Sequence, residues 1–275
     1  MLKLETKYEK NSTDLVEMLE GHVYINGAHL SVFTYIIDGV LIDTSSETLL
    51  DGFTNWIKNY KVDQVFITHN HEDHTGGAAW IDKNLCIPIY IHPMSVEVCK
   101  DLEQTPTYRQ ITWGRRGAFN AQPFSKQMTS QKYTWEIIET PGHTRDHLSF
   151  YCVEEKILFS GDLFVLAHTK AILSTENMQD TLASLRKVLT YDFEEVYCCH
   201  AGYLKNGREM LQEKIRYLEQ LQEESKVLYN QKLPIADITQ KLFPKKYAIE
   251  DFSNGEWAST HIIRSLIKDT PTKSS

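Results

Sequence analysis

Positive charge is in short supply in this 275-residue chain: 29 lysines and arginines face 37 aspartates and glutamates, for a formal charge of −8. That balance offers nucleic-acid phosphates no general attraction. Arg115-Arg116, beside Trp113 and Phe119, is the one compact basic spot, and it reads as a solvated loop, so nucleic acid is not an expected partner. Long apolar runs are missing too: nothing reaches membrane-spanning length, and no stretch near the start has the charged, apolar and small-residue order of a secretory signal. No membrane partner is expected, and the cytoplasm is the expected compartment. Cysteine is sparse and odd in number, since Cys86, Cys99, Cys152, Cys198 and Cys199 fall without metal-finger spacing. This argues against a disulfide framework and leaves reduced, buried thiols. What remains, 41% hydrophobic and 24% charged, lies in the globular range and is long enough for a sizeable core.

Histidine and aspartate, by contrast, are concentrated. They fall in THNHEDHTGG at 68–77, PGHTRDH at 141–147, SGDLF at 160–164 and CCHAGY at 198–203. Together these supply His69, His71, Asp73, His74, His143, Asp162 and His200, all side chains that bind divalent metals. The apolar run Val65-Phe66-Ile67-Thr68 reads as a buried strand emptying into a loop, which places His69 at a strand's carboxyl end. In that loop His69 and His71 share a direction while Asp73 and His74 turn toward a neighbouring position, and one ion cannot easily use all four. His143, Asp162 and His200 each follow a similar apolar run, so strand ends can gather ligands that are distant in sequence. His22, His92 and His168 lack ligand-type spacing and are read as lying outside the centre.

With those residues in view, the chain resembles the metallo-β-lactamase superfamily, whose HxHxDH pattern is His69-Asn70-His71-Glu72-Asp73-His74 here, with the later ligands at His143, Asp162 and His200. The resemblance covers about residues 20–205. It implies an α/β fold, a four-layer αββα sandwich with two metals at its edge. His69, His71 and His143 would hold one metal; Asp73, His74 and His200 would hold the other, with Asp162 bridging. Flavodiiron relatives carry Glu at the position of His71, and β-lactam-opening members commonly depart from Asp at the position of Asp162. The pattern here is more like glyoxalase II, lactonases and nucleases of the family. Asp43, closing Val40-Leu41-Ile42, resembles the family's buried carboxylate beneath the site, although a strand-end or helix-capping role reads equally well.

The implied activity is that of a dinuclear metal-dependent hydrolase using a metal-bridging hydroxide on a small ester, thioester or lactone. Asp73 and Asp162 are the catalytic candidates, each acting as a ligand first. Two divalent ions are expected as cofactors, zinc foremost, with iron or manganese as alternatives. A phosphodiesterase or ribonuclease, or a mononuclear iron persulfide dioxygenase, are the alternatives within the same resemblance. The expected partner is a small-molecule substrate, with a homodimer as a further expectation.

For organisation, residues 1–205 read as the catalytic domain and 206–275 as a C-terminal helical extension. Residues 22–43 read as a meander turning at Asn26-Gly27 and Asp38-Gly39. A helix entered through Ser45-Ser46 presents Leu50, Phe53 and Ile57, and Gly76-Gly77 lets the next helix start close to the metal loop. Met178, Leu182, Leu185 and Leu189 mark an amphipathic helix. Residues 94–132 lack sustained periodicity but carry Tyr108, Arg109, Trp113 and Phe124, a composition suited to a lid over a cleft or to a self-association surface. Asn206 and Glu209 suggest a capped helix start, a last helix is expected over about 257–268, and Tyr203, His261 and Arg264 are candidate substrate contacts. The tail 269–275 reads as disordered.

Overall fold

The computed structural model describes residues 4–25 and 27–267. Asn26 of the expected turn and the tail 269–275 lie outside the described residues. One seven-stranded sheet keeps chain order: β1 (Leu4–Ser12), β2 (Glu17–Ile25), β3 (Ala28–Ile37), β4 (Val40–Ile42), β5 (Gln64–Phe66), β6 (Ile89–Ile91) and β7 (Gln122–Pro123). Strands β1 to β4 form the expected meander with one strand more than the sequence suggested, because β1 is an exposed, lysine-bearing edge with little apolar alternation. Asp38 and Gly39 both take positive φ, +48° and +79°, as a two-residue hairpin turn requires. From β4 to β7 the strands run parallel.

The second sheet holds β8 (Gln127–Thr129), β9 (Thr134–Glu139), β10 (Leu148–Cys152), β11 (Ile157–Gly161), β13 (Glu195–Cys198) and β14 (Gly202–Leu204), while β12 (Ile172–Leu173) stands apart. Since β10 is antiparallel to both β9 and β11, and β11 is parallel to β13, strands β9, β11 and β13 all point one way. Their carboxyl ends therefore share an edge of the sheet.

Side-chain alternation builds three cores from these strands. Between the sheets lie Tyr35, Ile42, Phe66, Trp135, Phe150, Phe159 and Tyr197. On the outer face of the first sheet, Leu41, Val65 and Ile67 pack with Phe53 and Trp56 of α1 (Leu50–Ile57) and with Ile81. On the outer face of the second, Leu158 and Val196 pack with residues of four helices, α5 (Met178–Val188), α6 (Gly207–Asn230), α7 (Ile235–Leu242) and α9 (Ser259–Ile267). This is the αββα layering, and it explains why the central strands read as unbroken apolar runs: both of their faces are covered. Cys198 and Cys199 point to opposite faces, and both are buried, as expected of reduced thiols. Cys86 is exposed, against the expectation of buried thiols.

Three local expectations change. Trp257 belongs to a two-residue strand, β15 (Trp257–Ala258), paired with β12, and α9 begins only at Ser259. The Asn206 side chain makes no cap hydrogen bond to α6. Residues 94–132 contain α4 (Thr107–Trp113), then give β7 to one sheet and β8 to the other, with Phe124 packed between the sheets.

Between β5 and β6 the chain makes a single turn, α2 (Glu72–Thr75), and then α3 (Ala78–Asn84). Gly76 sits between them, and a Cβ there would lie 2.2 Å from the backbone nitrogen of Glu47 and 2.3 Å from the carbonyl carbon of Ser46. Backbone cannot yield as a flexible side chain does. Gly76→Ala is therefore expected to cost about 3 kcal/mol or more, read from urea unfolding; a change within experimental error would show that the 46–47 turn moves freely.

Candidate metal centre

Strand β4 is followed directly by Asp43, a buried carboxylate held at φ +59°, a conformation non-glycine residues rarely adopt. Its Oδ1 accepts from the backbone N–H of Thr68 at 2.8 Å, and its Oδ2 accepts from the Thr68 hydroxyl at 2.8 Å, from the Cys199 thiol at 3.1 Å and from His74 Nδ1 at 2.8 Å. Of its two readings, the orienting one is what the fold realises. With Nδ1–H of His74 donated to Asp43, Nε2 turns toward the centre. The same logic recurs: His69 Nδ1 donates to the Thr68 hydroxyl at 3.0 Å, His143 Nδ1 to Glu176 Oε2 at 3.1 Å and His200 Nδ1 to the Ser31 carbonyl at 2.6 Å. Four imidazoles are thus held from behind at Nδ1 and present Nε2, while His71 presents Nδ1.

The inward nitrogens gather in two groups. His69 Nε2 and His143 Nε2 each stand 3.0 Å from His71 Nδ1. Nitrogens bound tetrahedrally at zinc distances of about 2.0–2.1 Å stand roughly 3.3 Å apart, so this spacing is close to that of a shared ion. In the second group His74 Nε2 and His200 Nε2 lie 3.7 and 3.4 Å from Asp73 Oδ2. Asp73 and His74 reach it from α2, one helical turn where a loop was expected. Asp162 Oδ2 lies between the groups, 3.4 Å from His143 Nε2, 3.5 Å from His74 Nε2 and 3.2 Å from His200 Nε2. All seven residues singled out from the sequence converge here. His74 Nε2 and Asp162 Oδ1 are buried without a hydrogen bond, and such atoms are costly unless something else binds them.

Several supporting residues escaped the sequence reading. Glu176, behind His143, stands alone just before α5 and offers no motif. His147 was visible at the end of PGHTRDH: its Nδ1 pairs with the Thr140 hydroxyl at 2.8 Å, and its Nε2 accepts from the backbone N–H of Asp162 at 2.9 Å. Gly161 admits that contact, since a Cβ there would lie 2.6 Å from His147 Nε2. Asp146 Oδ2 accepts from Asn70 N at 3.0 Å and from Ser95 Oγ at 2.6 Å, tying the metal loop to the next segment.

Burial and nearby carboxylates together set the protonation of these imidazoles. Burial, with neighbouring imidazoles, pushes His69 and His71 well below their ordinary values, and burial holds His147 down near 3. In the second group burial also opposes protonation, but Asp162 and Asp73 outweigh it and raise His74 and His200. Reciprocally, Asp162 is driven well below the carboxylate range: burial resists, and His200 and His74 overcome it. Opposite charge close at hand thus outweighs desolvation at His74 and His200, and also at His143, where burial opposes protonation but Glu176 overcomes it, whereas desolvation rules at His69 and His71.

The family model described as the metallo-beta-lactamase superfamily matches residues 28–200. The chain belongs to the metallo-beta-lactamase superfamily. Among curated relatives, it is similar to a thioesterase, pkgB, of Emericella nidulans, 29% identical over 197 residues that cover 69% of this chain and 49% of the relative. It is also similar to a hydroxyacylglutathione hydrolase of Idiomarina loihiensis, 32% identical over 141 residues, 50% of this chain and 47% of the relative. The chain spans about half the length of the curated relatives it matches. A solved metallo-beta-lactamase from Pontibacter korlensis has a TM-score of 0.63 at 18% identity, covering 78% of this chain and 99% of that one. A metallo-beta-lactamase family protein from Thermus thermophilus has a TM-score of 0.62 at 17% identity over 96% and 91% of the two chains. At such identities the structural likeness speaks for the fold alone.

In this superfamily member a cavity of about 500 Å³ opens on His71, Asp73, His143, Asp162 and His200. Tyr108, Arg109 and Trp113 of α4 line it, as do Lys214 of α6 and, further on, Tyr247, then Ile249 and Phe252 of α8 (Ala248–Phe252), and Trp257. Tyr203, His261 and Arg264 are not among its lining residues, which corrects the expected substrate contacts. α9 turns Ile262, Ile263 and Leu266 into the core, leaving Arg264 exposed and His261 bonded to the Gly255 carbonyl at 3.0 Å. Nor is Arg116 a solvated basic spot: it is 1% exposed, and its guanidinium donates to the carbonyls of Cys99 and Asp101 at 3.3 Å. Among the described residues no helix is long and apolar enough to cross a membrane.

Arg109 also grips the metal motif itself. Its Nε and Nη2 donate to Glu72 Oε1 and Oε2 at 2.6 and 2.7 Å, and Glu72 is 1% exposed. Arg109→Ala strands that carboxylate and is expected to cost about 3–5 kcal/mol in urea unfolding, with Arg109→Lys recovering only part because the two-pronged contact is lost; full stability in both variants would show that Glu72 finds water. Near this pair, burial and then Glu72 push Glu103 up to about 7. A carboxyl raised in the fold from 4.5 favours the native state at low pH, and that contribution disappears as pH rises through 7. Glu103→Gln is therefore expected to unfold at higher urea than wild type at pH 8, by roughly 1–2 kcal/mol after allowing for partial exposure. The difference should vanish below pH 4.5, and a gap independent of pH would refute the assignment.

Proposed function

We propose that this chain is a dinuclear metal-dependent hydrolase of a small ester, thioester or lactone. The observation that carries the reading is the place of Asp162 Oδ2, within 3.2–3.5 Å of imidazole nitrogens from both groups. A carboxylate oxygen so placed suits a bridge between two ions. The donor set of imidazoles and carboxylates, together with the orphaned His74 Nε2 and Asp162 Oδ1, fits divalent zinc, with iron and manganese as alternatives.

His69, His71 and His143 would hold one ion, and Asp73, His74 and His200 the other. Bound there, the ions would supply Lewis acidity and a water acidified toward neutral pH. The chain's own share is positioning. Asp43, Thr68, Glu176 and the Ser31 carbonyl fix the imidazole rings from behind, and Asp73, whose charge is engaged by His74 and His200, serves as a ligand ahead of any role as a base. Val165, Leu166, Ile172, Met178 and Phe252 give the cavity apolar walls suited to an acyl group. The names of the thioesterase and hydroxyacylglutathione hydrolase relatives favour a thioester among the three substrate classes. We read residues 1–205 as the catalytic unit, α4 within 94–132 as its lid, and 206–275 as the helical extension that closes the cleft with Lys214, Tyr247 and Trp257.

Elemental analysis of protein purified without added metal, followed by assays on a p-nitrophenyl ester, S-lactoylglutathione, an acyl-homoserine lactone and bis-p-nitrophenyl phosphate, tests the proposal. Two divalent ions per chain and turnover of at least one of the first three substrates are expected. Asp162→Ala should keep its circular dichroism spectrum, lose metal, and lose more turnover than the roughly 10–100-fold that removing a hydrogen-bond partner behind a metal ligand costs. One iron per chain with oxygen consumption, or wild-type rates in Asp162→Ala, would overturn it.

A further inference from the structure

A second cluster of ligand-type side chains lies on the strands β1 to β3 and shares no residue with the centre described above. Glu9 on β1 and Glu20 on β2 stand directly opposite each other in the ladder, and His22 follows Glu20 by two residues, hence on the same face. One donor atom from each of the three lies within 4.8 Å of the others. His22 Nε2 is 3.7 Å from Glu9 Oε1, and His22 Nδ1 is 3.7 Å from Glu20 Oε1.

Three observations set this apart from a chance acidic patch. Like charges directly opposed across an antiparallel pair repel, yet among the described residues neither glutamate has a lysine or arginine within ion-pair distance. Lys7, paired with His22 in the register, carries its ammonium over the Tyr24 ring instead, 5.2 Å from its centroid. His22 is only 6% exposed, and its buried Nε2 makes no hydrogen bond. Finally, His22 Nδ1 lies 3.0 Å from His29 Nε2, whose own ring stacks on Tyr24. An Nδ1–H donated to His29 leaves the Nε2 lone pair on the side of Glu9, with Glu20 alongside the ring nearest Nδ1, as in metal-binding histidines whose other nitrogen is held by an acceptor.

We infer that Glu9, Glu20 and His22 form a separate divalent-cation site, with His29 orienting the ligand imidazole. One imidazole and two carboxylates suit zinc, whereas calcium requires six to eight oxygens. Glu9, with 65% of its side chain exposed, leaves coordination positions open to water. An ion here relieves the opposed charges and pins edge strand β1 to β2. It also adjoins the cleft through β3, where His29 lines the cavity and the Ser31 carbonyl holds His200.

Equilibrium dialysis of the full chain against zinc, followed by elemental analysis, tests the site. Wild type is expected to retain one zinc more than Glu9→Gln and one more than His22→Gln, and zinc should raise its melting temperature further than that of either variant. Because the quantity read is the difference from wild type, the result stands whether or not the main centre loads as proposed. Glu9 is exposed, so Glu9→Gln keeps the comparison valid if His22→Gln fails to fold. Equal zinc content and equal zinc-dependent melting shifts in wild type and Glu9→Gln would overturn the inference.

Discussion

One buried carboxylate ties the candidate centre together. Asp43 accepts from Thr68 at the end of β5, from His74 on α2 and from Cys199 at the end of β13, so a single side chain joins both sheets and the metal-motif helix. A carboxylate withdrawn from water is tolerable only when its lone pairs are engaged, and here four donors engage them. The unusual backbone at Asp43 persists because those bonds over-determine it. The orientation of His74, and through the Thr68 hydroxyl that of His69, follows from it.

The cleft is built by a second buried ionic contact. Glu72 occupies a spacer position of the HxHxDH pattern, and its carboxylate anchors Arg109 of α4 at the cavity. The cleft wall and the ligand helix are therefore one mechanical unit. α6 also lines the cavity, and its Lys214 is 4% exposed, donates to the Phe164 carbonyl at 2.5 Å and is held down near 8 by burial. Phe164 lies two residues beyond Asp162, so α6 steadies the loop that carries Asp162.

The sequence alone pointed to the seven side chains that converge and to the layered fold, because both leave local traces: apolar runs covered on two faces, and histidines and aspartates clustered where those runs end. It was silent where recognition depends on strand register or on isolated side chains. Glu176 carried no motif, β1 lacked apolar alternation, and Arg116 looked like surface until its guanidinium was enclosed by carbonyls. His22 has only Glu20 near it in sequence, while Glu9 and His29 come from the neighbouring strands β1 and β3 and the ladder alone aligns them. Only the tertiary structure decided whether Asp43 orients or caps, and which C-terminal residues reach the cavity. Those outcomes depend on contacts between segments far apart in the chain, whose geometry is set when the two sheets pack.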